Sequence, residues 1–122
     1  MQACRSDDPV ASAGVFFPTV PIGDAYPAGE IEGTFELRSG CLFVVRPEGG
    51  WLLLWPEGFT TREAAGRIDV VDPSGALVAR EGGPVRFGGG ERRGERAATD
   101  LTGQDVPDRC GDLFWLVSPP TF

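Results

Sequence analysis

The apolar positions of this chain fall into short runs separated by glycine, proline and acidic residues. Residues 32–38 alternate polar and apolar side chains, the period-two pattern of a half-buried strand. Cys41–Arg46 continues as strand after Ser39-Gly40, and residues 51–55 pair back across the hairpin loop Pro47-Glu48-Gly49-Gly50. Thr60 and Glu63 have capping-box spacing and Gly66 can stop a helix, so residues 60–66 are expected to form one short helical turn. Residues 68–71 and 76–80 read as strands around Asp72-Pro73-Ser74-Gly75, whose proline and glycine positions suit a type I turn. Residues 85–87 give a short strand expected to end at Gly88-Gly89-Gly90. Residues 91–112 read as a long polar connection, and Leu113–Val117 is the last strand.

The flanks are different in kind. Residues 1–14 are small and polar and read as a disordered tether, leaving residues 15–122 as a single β-barrel domain. Pro18 and Pro21 keep the next segment extended, with Phe16, Phe17 and Ile22 expected to pack across one end of the barrel. Short strands and close turns predict an all-β fold: a small Greek-key barrel, OB-like in the first instance and SH3-like as the alternative, with one short helical turn.

Residue usage narrows the chemistry. The chain carries 18 Gly and 11 Pro, which favours turns over long helices. All 11 basic residues are arginine, and Lys, Asn and His are absent, as in proteins from high-GC genomes. Without His the commonest general base near neutral pH is missing, and Ser-His-Asp or Cys-His catalysis is excluded. The net charge of −7 disfavours general binding to phosphate backbones and suits solubility or a basic partner. No apolar run reaches the roughly 18 residues of a membrane helix.

Three cysteines carry the most information. Cys41 opens a strong strand and Cys110 sits just before the last one, so a disulfide between them is expected; the alternative is two buried free thiols. Such a bridge closes a loop of roughly 69 residues, worth about 4 kcal/mol by the chain-entropy argument. Cys4 is then left over. Met1-Gln2-Ala3-Cys4, followed by a small polar run, resembles the end of a bacterial lipoprotein signal, which makes Cys4 the expected site of lipidation. Both readings require an exported protein.

Gly40-Cys41-Leu42, Leu54-Trp55-Pro56-Glu57-Gly58-Phe59, Gly88-Gly89-Gly90 and the late Cys110 before an aromatic strand together resemble uncharacterised exported proteins and lipoproteins of high-GC bacteria. The similarity spans roughly residues 33 to 117. It implies a small β domain outside the membrane and implies no activity.

Candidate sites are few. Trp51, Leu53 and Trp55 face one side of their strand and Leu52 and Leu54 the other, so both faces are apolar. One face is the interior; the other is covered by the N-terminal segment or exposed as a binding patch. Trp51, Trp55 and Phe59 are therefore the candidate binding residues, either as core or as an aromatic platform. Asp100, Asp105, Asp108 and Asp112 concentrate acid in one loop without EF-hand spacing, and no metal or other cofactor is implied. Gly88 to Arg96 is glycine- and arginine-rich but lacks a P-loop pattern.

The leading expectation is a non-enzymatic binding or assembly domain of the bacterial cell envelope. Its partner would be an envelope protein or glycan, with membrane contact only through a lipid anchor at Cys4. One alternative is a cytoplasmic OB-like single-stranded nucleic-acid binder using the arginines of residues 80–96. Another is a carboxylate-based hydrolase with candidates such as Glu57 and Glu63.

Overall fold

The computed structural model describes residues 14–23 and 26–119. Among the described residues nine strands form two sheets. Strands β2 (Gly29–Arg38), β3 (Cys41–Arg46), β4 (Gly49–Pro56), β8 (Pro84–Arg93) and β9 (Leu113–Val117) close into a barrel. Neighbours are antiparallel except β4 and β9, which run parallel and complete the circuit β2-β3-β4-β9-β8-β2. That order is the OB-like one, and the fold is a small all-β barrel. A two-residue strand β1 (Thr19–Val20) adds to β4 in parallel.

The hairpin turns follow from local chemistry. Ser39 (φ 51°) and Gly40 (φ 76°) both sit in the left-handed region, the requirement of a two-residue primed turn between β2 and β3. Gly89 in β8 has φ 137° and faces the β9 backbone, where a Cβ would collide with the Leu116 carbonyl. Only glycine allows β8 and β9 to approach there. The Gly88-Gly89-Gly90 run consequently does not end the strand, as its composition suggested, but lets it coil around the barrel to Arg93.

A second, three-stranded antiparallel sheet is inserted between barrel strands β4 and β8: β5 (Thr60–Ala64), β6 (Arg67–Val71) and β7 (Leu77–Arg80). The expected helical turn at residues 60–66 is thus replaced by strand β5 and a tight turn at Ala65-Gly66, both with positive φ. An isolated helical turn fixes several dihedrals for one hydrogen bond. Pairing Thr60 through Ala64 with Val71 through Arg67 satisfies five positions at once. The helix lies elsewhere: α1 (Glu95–Thr102) occupies the segment that reads as a polar connection, followed by a 3₁₀ turn at Asp108–Cys110.

Two apolar clusters hold the layers together. Inside the barrel, Ile31, Phe35, Leu42, Val44, Trp51, Leu53, Trp55, Phe87, Trp115 and Val117 pack with Ile68, Val70 and Ala79 of the appended sheet. Outside the barrel, Leu52, Leu54, Phe114 and Leu116 lie beneath Phe16, Val20, Ala98 and Val106. The two faces of β4 are separated as the alternation predicts, and the outer one is covered by both the N-terminal segment and α1. Ile22, expected to pack across one end of the barrel, is instead 57% exposed. Phe17 and Phe16 do pack, against different clusters.

Cys41 and Cys110 form a disulfide, with Cα atoms 5.6 Å apart. It pins the 3₁₀ turn, and with it the segment after α1, to the start of β3. Cys4 and most of the expected tether lie outside the described residues.

Candidate binding cleft between barrel and appended sheet

The predicted site residues go inward. Trp55 is fully buried. Its indole stacks between Phe17 (centroids 5.6 Å apart) and Phe59 (6.2 Å), and Phe35 and Phe87 meet it edge-on at 6.1 and 5.4 Å. Its Nε1 is buried with no hydrogen-bond partner among the described residues. Trp51 lies towards the opposite barrel end, where its Nε1 donates to Glu91 Oε1 at 3.1 Å. That bond, with the Arg93 guanidinium beside it, holds the Glu91 carboxyl below its ordinary range. Trp115 Nε1 donates to the Gly88 carbonyl. Of the two readings of Trp51, Trp55 and Phe59, core and aromatic platform, the rings take the core one. Burying these rings removes far more apolar area from water than any single-ligand contact would, and the barrel interior takes them.

One of the three still reaches a site. Phe59 forms part of the wall of a cleft of about 310 Å³ between the appended sheet and the barrel. The other walls are Val78 from β7, Arg86, Phe87 and Gly88 from β8, and Val117, Ser118 and Pro119 at the end of β9. Each is placed by register. A bulge where β6 meets β7 between Val70 and Val71 turns both Val78 and Ala79 towards the barrel side. Gly88 gives room for Ser118, whose hydroxyl sits 2.8 Å from where a Cβ would project. The Gly88 carbonyl accepts from both Ser118 N and Trp115 Nε1, which fixes the base of the cleft.

The floor is apolar and the rim is charged. Arg86 Nη2 donates to Glu30 Oε1 at 2.8 Å, and its Nε lies 3.2 Å from Glu32 Oε2. All three side chains are more than half exposed, so the pairs orient the guanidinium and contribute little stability. Two carboxylates against one guanidinium leave this rim net negative.

The remaining candidates are dispersed. Glu57 and Glu63 are exposed and make no ion pair among the described residues. Asp100 lies on α1, Asp108 opens the 3₁₀ turn and Asp112 follows it. Among the described residues no three His, Cys, Asp or Glu side chains gather as metal ligands. The arginines of residues 80–96 are mostly engaged: Arg80 with Asp69, Arg86 with the two glutamates, Arg93 with Glu91. No helix among the described residues is long and apolar enough to cross a membrane.

Compared with protein-family models, curated proteins and solved structures, the chain matches none.

Proposed function

We propose that this chain is a non-enzymatic binding or assembly domain of the bacterial cell envelope, and that it takes its partner at the cleft of Phe59, Val78, Phe87 and Val117. The cleft is the observation that carries the reading. Its volume lies at the small end of the ligand-pocket range, and an apolar floor under a polar rim is the usual construction of a recognition site. The aromatic rings that would stack on a sugar are turned inward, so a protein presenting an apolar side chain fits better than a glycan. The net negative rim and the overall charge of −7 favour basic residues flanking that side chain. The disulfide supports export, since such bonds persist in oxidising compartments. The resemblance to exported lipoproteins and the lipidation of Cys4 belong to the same proposal.

The nucleic-acid alternative has less support. OB-type barrels hold oligonucleotides on the face of their second and third strands. Here that region of β3 and β4 carries Cys41, Leu52 and Leu54 beneath Phe16 and Val20. The hydrolase alternative has less support as well: Glu57 and Glu63 are both exposed, and the carboxylates that do come together, Glu30 and Glu32, are more than half exposed and share the Arg86 guanidinium.

A photo-crosslinking residue at Ser118, introduced in the host, tests the reading against the same residue at Glu48 on the β3–β4 hairpin. The expected result is one envelope-protein adduct at position 118 and none at 48. Equal labelling at the two positions, or none at either, removes the cleft as the binding site.

A further inference from the structure

The outer face of the appended sheet is basic on an acidic protein. Register places Arg62, Asp69 and Arg80 in one row across β5, β6 and β7, with all three side chains on the side away from the barrel core. Arg80 grips Asp69 through two bonds, Nε to Oδ1 at 2.9 Å and Nη2 to Oδ2 at 3.0 Å. Arg62 Nε approaches the same carboxylate at 3.7 Å. Arg67 lies two residues along β6 from Asp69, on the same face and about 7 Å away. It is exposed and makes no ion pair among the described residues. Leu77 lies opposite Val71 on this face and is 49% exposed. Three arginines on a face with one carboxylate, which two of them approach, give this patch two net positive charges.

We propose that this face docks on an anionic phospholipid surface. Three adjacent strands present these side chains on one open face, and none of Arg62, Arg67, Leu77 or Arg80 lines the cleft at Phe59 or the pocket at Val106 and Asp108. An open, exposed face suits a layer of headgroups better than a single enclosed anion. The shared carboxylate holds Arg62 and Arg80 side by side, so little side-chain freedom is lost when they meet phosphates. A half-exposed leucine among arginines has a use at the headgroup boundary and none on a soluble polyanion.

The rest of the protein repels such a surface, and distance decides the balance. At an ionic strength of about 0.15 M charges are screened beyond roughly 8 Å, so the patch acts alone; at about 0.01 M the range is roughly 30 Å and the whole acidic chain is felt. Binding is therefore expected to pass through a maximum with salt rather than to fall steadily.

The test is co-sedimentation of the full chain with vesicles of phosphatidylcholine containing 30% phosphatidylglycerol, against phosphatidylcholine alone, at about 0.1 M salt. Wild type is expected to partition onto the anionic vesicles only. Each arginine near such a surface is worth roughly fivefold, so Arg67→Glu, which removes one attraction and adds a repulsion, should weaken binding roughly 25-fold. Leu77→Ser should weaken it by a smaller factor. Arg96→Glu makes the same net-charge change on α1 and should leave binding within about twofold, since α1 lies off this face. Thermal unfolding checks that each variant remains folded. Absent binding to anionic vesicles, equal losses for Arg67→Glu and Arg96→Glu, or tighter binding to polyphosphate or a single-stranded oligonucleotide would each overturn the proposal.

Discussion

The barrel and the appended sheet use the same strand chemistry to different ends. In the barrel, aromatic and branched side chains fill the interior, a second apolar layer seals the outer face of β4 and β9, and a disulfide fastens that layer down. In the appended sheet one face packs on the barrel through Ile68, Val70 and Ala79, while the other presents arginines and a half-exposed leucine to solvent. The outer face of β4 and β9 is covered, while β2 and β8 keep exposed positions along their length. The sheet is held from one side only; the basic face belongs to it alone, and the cleft lies where it meets β8 and the end of β9. Stability therefore concentrates in the barrel core, and the proposed recognition surfaces lie on the appended sheet and at its junction with the barrel.

Three changes probe that division. The largest effect is expected from Cys110→Ser. Opening a loop of sequence separation 69 should cost about 4 kcal/mol of global stability, read as a shift in the urea midpoint. A loss confined to the appended sheet would break the comparison. Asp69→Asn is expected to cost about 1–2 kcal/mol, because it removes the charge and replaces one of the two acceptor oxygens with an N–H donor facing the Arg80 guanidinium, while the arginines stay solvated. The loss should show as faster hydrogen exchange in β5, β6 and β7 with barrel protection retained.

Asp69 also gives the sheet a pH dependence. The Arg80 bonds hold its carboxyl below the ordinary value of 3.8, against the opposing effect of burial. The unfolded chain therefore binds the proton first. The stabilisation is complete above pH 3.8 and is lost as pH falls from there through the lower folded value. The Asn variant should lack this step. The smallest effect is expected at Ala65, whose φ of 55° costs a non-glycine residue energy in the Ala65-Gly66 turn. Ala65→Gly should stabilise by about 0.5 kcal/mol, once the added freedom of the unfolded chain is set against the relieved strain.

The barrel was the more legible region. Residues 51–55 and Leu113–Val117 announce themselves by apolar density and alternation, and Cys41 and Cys110 stand where the strands they join begin. Their order in the sheet is as an OB-like barrel demands. The appended sheet was legible only in β6 and β7. In β5, the Thr60 and Glu63 spacing offers a helix cap, and only pairing with β6 overrules it. Helix α1 was hidden because just Ala98 and Leu101 mark its apolar face. It is fixed by docking on Leu52 and Leu54, a tertiary cause with no local signal. The cleft was hidden for a similar reason. Phe59, Val78, Phe87 and Val117 come from four separate stretches, and a bulge decides where Val78 points. The tryptophans attracted notice because they are large, yet size is also what draws them into the core.

The proposed function places this disulfide-closed barrel outside the cytoplasm. The most direct test is the intact mass of the protein taken from its own host, after labelling of free thiols and with membrane and soluble fractions kept apart. The expected result is protein in the envelope fraction with Cys41 and Cys110 unlabelled until reduction, and a lipid adduct on Cys4. A soluble cytoplasmic chain with all three thiols free would contradict it.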